Sequence, residues 1–100
     1  LRFGECEVRI HHTPGHSPGG VCLQVGGPGV ADTHLFVGDT LFDGSIGRTD
    51  LPGGDYGTLL RSIRDVLLAF GDAAIVHAGH GPDTTIGRER TANPFLNPGG

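Results

Sequence analysis

Three side chains that can bind metal ions occur where glycine interrupts a predicted strand or turn. His16 lies in "PGHS", Asp39 in "VGDT" and His80 in "AGHG". Imidazole nitrogen and carboxylate oxygen are ligands that zinc and iron accept, and glycine lets a ligand approach the backbone closely. The three positions are too far apart along the chain for a local metal finger. We therefore expect a site that is assembled in space from the ends of several strands.

The stretch "HHTPGHSPGG" at positions 11–20 predicts a tight turn with His16 at its tip. Proline and glycine favour such turns, and they would fix the direction of the imidazole. The competing interpretation is that a histidine beside glycine is an ordinary turn residue, and that "GD" after a strand is an ordinary strand end. The remaining histidines have no adjacent glycine and are expected in strands or loops; they are His11, His12, His34 and His77.

Apolar periodicity predicts the elements that position these side chains. Period-two alternation or short apolar runs predict strands at 6–10, 21–25, 35–37 and 73–78. Apolar residues with helical spacing predict an amphipathic helix over 56–70, with Asp55 as N-cap and Gly71 as its stop, and a second helix begins near Ile86. The glycine-rich segment 44–54 is predicted to be a loop.

The predicted elements indicate a layered α/β structure that lacks a partner layer. The strands at 21–25 and 35–37 are apolar on both faces, so both faces should be covered, and one long helix covers only one. The chain begins with Leu1 instead of methionine. We therefore expect an N-terminal portion to be missing from it.

Composition excludes several classes of function. The 100 residues contain 7 Lys and Arg against 11 Asp and Glu, for a net charge of -4, and no basic patch indicates nucleic-acid binding. No apolar run approaches the roughly 20 residues of a membrane span, and no signal peptide opens the chain. Cys6 and Cys22 lie in apolar strands and are predicted to be buried free thiols. These features predict a cytoplasmic protein.

The motifs "HTPGHSPGG", "LFVGDTLFDGSIGRTDLPGGD" and "AGHGPDTTIGRERTANPFL" resemble the metallo-β-lactamase superfamily, and most closely its glyoxalase II-like hydrolases. The resemblance spans about positions 6–96. It implies an α/β fold, the second half of a four-layer αββα sandwich with a dinuclear metal site at one edge of its sheets. Residues 1–100 would then be a partial domain.

The resemblance also implies a role for four residues of this sequence. His16 would bind the first metal, His80 the second, and Asp39 would bridge both as the catalytic carboxylate. Arg48, in "GSIGRTD", corresponds to a basic residue that contacts the glutathione part of the substrate. The implied cofactors are two divalent ions, zinc first, with iron or manganese as alternatives. The implied partner is a small-molecule thioester, and the oligomeric state stays open.

Because the sequence departs from the family pattern in three places, more than one activity stays open. The leading His-x-His-x-Asp-His motif is absent, Pro82 stands where glyoxalase II has a tyrosine, and the helical C-terminal domain is missing. The first expectation is hydrolysis of a thioester by a metal-bound hydroxide. The alternatives are an iron-dependent persulfide dioxygenase of the same fold and a non-catalytic half-domain. Residues 1–100 alone are expected to be inactive.

Overall fold

A mixed β-sheet is the framework of the chain in a computed structural model, which describes residues 2–3, 6–17, 19–26, 33–50 and 52–97. The strands in chain order are β1 (Arg2–Phe3), β2 (Cys6–His12), β3 (Val21–Gly26), β4 (His34–Gly38), β5 (Leu41–Phe42), β6 (Ser45–Ile46), β7 (Ile75–Ala78) and β8 (Thr84–Thr85). The helices are α1 (Tyr56–Ser62) and α2 (Ile86–Ala92). Within the described ranges the sheet has the order β1-β2-β3-β4-β7-β8, and β5 and β6 form a separate hairpin.

The pairing of β4 with β7 sets the location of two candidate ligands. These two strands are parallel, whereas the pairs β1–β2, β2–β3, β3–β4 and β7–β8 are antiparallel. The carboxyl ends of parallel strands meet at one edge of a sheet. The backbone N–H of Gly79 donates to the carbonyl of Gly38 at 2.8 Å, which ties the two strand ends together. Asp39 and His80 each follow one of these ends, so they lie at the same edge.

One face of the sheet carries the hydrophobic core. Cys22, Leu35 and Val76 project from this face and are fully buried. The helical segment covers them with its own buried apolar residues; these are Leu59, Ile63 and Leu67. Their burial supplies the main force that holds the helix on the sheet.

The opposite face of the same sheet is apolar and exposed. Ile10, Leu23 and Phe36 are cross-strand neighbours on it, and they are 68%, 36% and 45% exposed. The sequence predicted cover on both faces of the central strands, and the described residues provide it on one only. The exposure of this apolar face agrees with the prediction that a partner layer is missing.

The predicted long helix begins as expected and ends differently. Asp55 caps α1, because its side chain accepts a hydrogen bond from the Thr58 N–H at 2.8 Å. The α-helix ends at Ser62 and continues as a π-helical turn, Ile63–Leu67, so the amphipathic helix is confirmed but ends before the predicted bound of 70. The spacing of apolar residues predicts which side of the helix packs on the sheet. Ile63 and Leu67, in the π-helical turn, are buried on the same side as Leu59 in α1.

The predicted loop over 44–54 also begins differently. Ser45–Ile46 forms β6 and pairs with β5, with Gly44 at φ +78° in the connecting turn. Glu89, buried in α2, accepts a hydrogen bond from the Gly44 N–H at 2.9 Å. The hairpin is therefore fastened to α2, a long-range contact that local sequence does not reveal.

Two smaller predictions have separate outcomes. Cys22 is a buried free thiol, as predicted, whereas the side chain of Cys6 lies outside the described residues. Among the helices that the structure describes, none is long and apolar enough to cross a membrane.

Candidate metal centre

The turn that carries His16 is closed by its own backbone. The Thr13 N–H donates to the carbonyl of Gly20 at 2.8 Å, and the Gly20 N–H donates to the carbonyl of Ser17 at 3.2 Å. Gly15 has φ +133°, and a side chain there would overlap the backbone of Leu59. Both conformation and space therefore require glycine immediately before His16.

The helix α1 fastens this turn from outside. The Ser62 hydroxyl donates to the carbonyl of Pro14 at 2.7 Å, and the Asp55 N–H donates to the carbonyl of Gly15 at 2.7 Å. The turn is thus held at two points just before His16. An isolated loop would not fix the imidazole in this way.

The structure brings His16, Asp39 and His80 together, as the sequence predicted for their positions. His16 Nε2 lies 3.8 Å from Asp39 Oδ2, and His80 Nδ1 lies 3.3 Å from Asp39 Oδ1. The carboxylate therefore lies between two imidazole rings, with one oxygen facing each. Their role as metal ligands stays a prediction.

Within this cluster, Asp39 Oδ1 is the oxygen atom that a bound cation would stabilise most. It is buried and has no hydrogen-bond partner within the described part of the chain, because the 3.3 Å approach of His80 lacks hydrogen-bond geometry. A buried unsatisfied acceptor costs about 1 to 3 kcal/mol, and more when it is charged. A divalent ion on either side of the carboxylate would satisfy it, so these residues fit the metals that the family pattern implies.

The described residues contribute few ligands to each ion. Among them, no group of three or more His, Cys, Asp or Glu side chains is arranged to hold one metal ion. With Asp39 shared, the cluster supplies one imidazole and one carboxylate oxygen on each side. Catalytic zinc sites usually have three protein ligands. The cluster therefore supplies fewer protein ligands than even one such site usually has on each side of Asp39.

The three side chains open onto a cavity of about 360 Å³. Its lining consists of His16, Asp39, Phe42, Ser45, Ile46, Gly47, Arg48 and His80. Phe42 presents its ring at a steep angle to the His80 ring, with centroids 5.9 Å apart. The cavity thus combines an apolar wall, the candidate ligands and one arginine. Phe42 lies within a motif that the sequence analysis quoted, but that analysis gave it no role.

Arg48, predicted to contact substrate, lies on the cavity wall with its guanidinium held by Asp50. Nε and Nη2 donate to the two carboxylate oxygens at 2.8 and 2.9 Å. These hydrogen bonds lower the pKa of Asp50 to about 2 and raise that of Arg48. Both side chains are exposed. The positive charge of Arg48 at the cavity rim is therefore paired with the carboxylate of Asp50, a residue to which the sequence analysis gave no role.

His34 and His77 lie in strands, as expected for them, yet they interact with each other. His34 Nδ1 and His77 Nε2 are 2.9 Å apart, and His77 Nδ1 lies 3.1 Å from Asp83 Oδ2. His77 also stacks on Phe36 with ring centroids 4.7 Å apart. This cluster is on the exposed face of the sheet and does not line the cavity.

Comparison with known proteins agrees with the fold and the motifs. The metallo-beta-lactamase superfamily model matches residues 3–80. A hydroxyacylglutathione hydrolase, GloC, of Haemophilus influenzae is 53% identical over 97 residues, which are 97% of this chain and 44% of that protein.

Two solved structures are similar over almost the whole chain. The BLEG-1 B3 metallo-beta-lactamase has a TM-score of 0.82 at 50% identity, covering 96% of this chain and 44% of that one. TTHA1623 in a di-iron-bound form has a TM-score of 0.79 at 45% identity, covering 96% and 45%. The chain thus spans less than half the length of these relatives. The predicted α/β class and the family resemblance are confirmed: the chain belongs to the metallo-beta-lactamase superfamily.

Proposed function

We propose that the protein is a metal-dependent thioester hydrolase and that these residues form one half of its dinuclear site. The observation that carries this proposal is the Asp39 carboxylate between His16 and His80, with a buried oxygen that lacks a hydrogen bond. Such a carboxylate suits two cations better than any partner in the described chain. The relative named hydroxyacylglutathione hydrolase, 53% identical, supports a thioester as substrate.

In this proposal each ion has one imidazole and a share of one carboxylate. His16 and Asp39 would hold the first ion, and Asp39 and His80 the second. Divalent ions in such a pair activate water at neutral pH and polarise an acyl carbonyl, so no protein nucleophile is needed. A carboxylate shared in this way would offset part of the repulsion between the two ions.

The remaining lining residues would bind and orient the substrate. Phe42 offers an apolar wall for the acyl or thiol part, next to His80. Arg48 offers a cationic group for a substrate carboxylate at the rim. Because Asp50 already occupies two of its donors, an incoming carboxylate must share or displace that partner.

The ligand count supports a further part of the proposal, that residues outside positions 1–100 complete the site. The relatives are more than twice as long as the matched region. The exposed face at Ile10, Leu23 and Phe36 gives those residues an apolar surface to cover. We expect residues 1–100 alone to be inactive.

The number of metal ions and the use of O₂ separate this proposal from its main alternative. We propose zinc, while the similar structure in a di-iron-bound form makes iron the metal to compare. An iron-dependent persulfide dioxygenase of the same fold would hold one iron and consume O₂. A hydrolase would do neither.

The experiment compares residues 1–100 with a version extended upstream of Leu1, each loaded with zinc or with iron. Hydrolysis of lactoyl and acetoacetyl thioesters is measured with and without O₂. We expect turnover by the extended protein, independent of O₂, and none by residues 1–100. Comparable rates from both would overturn the half-site argument. Oxygen consumption with a persulfide, and no thioester turnover, would favour the dioxygenase.

A further inference from the structure

We infer that the main chain of Gly47 and Arg48 is a positioning element that fixes both His16 and Asp39 in the metal site. This inference rests on the proposed metal binding. It concerns main-chain groups that lie between the two candidate ligands, and it assigns a structural reason to the glycine in "SIGR".

The first observation is a hydrogen bond to the far side of the His16 ring. His16 Nδ1 lies 2.9 Å from the carbonyl oxygen of Arg48. A carbonyl only accepts, so Nδ1 carries the proton, and the neutral ring keeps its lone pair on Nε2. Nε2 is the nitrogen that lies 3.8 Å from Asp39 Oδ2. The Arg48 carbonyl therefore selects both the tautomer and the ring orientation that a metal at Asp39 requires.

The second observation is the lack of space at Gly47. A Cβ on Gly47 would overlap the carbonyl oxygen of Asp39 and lie 3.3 Å from the Cβ of His16. The Gly47 N–H donates to the carbonyl of Thr40 at 3.0 Å, which holds this residue against the segment that follows Asp39. Glycine is required here for close approach, since Gly47 lies against the main chain of one candidate ligand and the side chain of the other.

The third observation is that the hairpin preceding Gly47 is held by hydrogen bonds to α2 and to the residue that follows it. Gly47 directly follows β6, whose pairing with β5 fixes where it enters the cavity wall. Asn93 donates to the carbonyl of Ser45 at 3.0 Å, and Glu89 accepts from Gly44. A carbonyl on such a braced hairpin can orient an imidazole, whereas one on a mobile loop would not.

These observations give different roles to the side chain of Arg48 and to its main-chain carbonyl. Any residue at position 48 supplies the carbonyl, so Arg48→Ala should leave His16 in place. A side chain at position 47 should instead push Asp39 and His16 apart. Changing the Nδ1 of His16 should remove the hydrogen bond while the backbone stays as it is.

The test uses the full-length protein with Gly47→Ala, Arg48→Ala and a variant in which His16 is replaced by Nδ1-methylhistidine. Gly71→Ala is the matched control, because a Cβ at Gly71 meets open space. Zinc affinity is measured by chelator competition, metal content by elemental analysis, ligand geometry by the visible spectrum of the cobalt-loaded protein, and folding by circular dichroism.

We expect Gly47→Ala and the methylated variant to lose zinc affinity by roughly 10- to 100-fold, the usual effect of losing an outer-shell contact. Arg48→Ala and Gly71→Ala should keep the metal content of the wild type. If Gly47→Ala does not fold, the methylated variant decides, since its backbone is unaltered. Wild-type affinity and spectrum in the methylated variant would overturn the inference. A wild type that binds no metal would instead overturn the proposed function.

Discussion

Replacing Glu89 should show how strongly the hairpin beside the metal site depends on one buried carboxylate. Glu89 is 1% exposed, and its Oε1 accepts from Gly44 N–H and Asn93 Nδ2, each at 2.9 Å. Its Oε2 accepts from the Thr84 hydroxyl at 2.6 Å. One side chain thus joins the β5–β6 turn, β8 and α2.

The magnitude follows from which donors lose their acceptor. Glu89→Ala leaves the buried Thr84 hydroxyl and one N–H of the Asn93 amide without an acceptor, while the other Asn93 N–H keeps the Ser45 carbonyl. At about 1 to 3 kcal/mol for each orphaned donor, we expect a loss of about 2 to 6 kcal/mol in the free energy of unfolding. Gly44 is exposed, and water can replace its partner. Glu89→Gln keeps an oxygen for the two donors at Oε1, and the Thr84 hydroxyl can reverse its role. That variant should lose less than about 2 kcal/mol.

The assay is urea unfolding of the full-length protein at neutral pH, followed by far-ultraviolet circular dichroism. Asp65→Ala serves as the control, because Asp65 is an exposed acid on the π-helical turn. It should stay within about 0.5 kcal/mol of the wild type. Equal losses for the Gln and Ala variants at position 89, or a negligible loss for both, would refute the reasoning from the orphaned donors.

Three further predictions concern single side chains. Asp39→Ala should remove more metal per protein than alanine at either histidine ligand, because a bridging carboxylate serves two ions; equal losses by elemental analysis would argue against bridging. Burial raises the pKa of Cys22 to about 11, so at pH 8 roughly one thiol in a thousand is ionised. In a Cys6→Ser background it should react with a disulfide reagent only after denaturant is added, and rapid native labelling would contradict its burial. Arg48 lowers the pKa of Asp50 to about 2. Their ion pair should therefore contribute stability above about pH 4, and this contribution should be lost as the pH falls through 2. An NMR titration midpoint near 4 for the Asp50 carboxyl would show that the pair does not form in solution.

The candidate ligands could be predicted from the sequence because each leaves a local mark. Glycine stands beside each of them for a physical reason: Gly15 closely approaches the backbone of Leu59, Gly79 lies close to Asp39, and Gly38 has φ +57°. The Asp55 cap is similarly local, since it acts on a residue three positions away. Strand alternation was also readable, because it reports directly which side chains face the core.

The bracing of the site could not be predicted, because it depends on contacts between distant parts of the chain. Glu89 and Gly44 meet only after α2 has packed beside the hairpin. The hydrogen bond from His16 to the carbonyl of Arg48 carries no side-chain signature, since every residue type has that carbonyl. The change from α-helix to π-helical turn after Ser62 leaves the apolar side of the helix unaltered.

The incomplete ligand set and the uncovered sheet face have one common solution. Under the proposed metal binding, a partner that only covered Ile10, Leu23 and Phe36 would leave each ion with two ligands. A segment that only supplied histidines would leave those apolar side chains in water, at a cost of about 25 cal/mol per Å² of apolar surface. A second sheet packed face to face, about 10 Å away, would cover the apolar residues. Its strand ends would reach the edge where Asp39 and His80 follow β4 and β7. We therefore expect the missing ligands and the missing layer to belong to the same segment of protein.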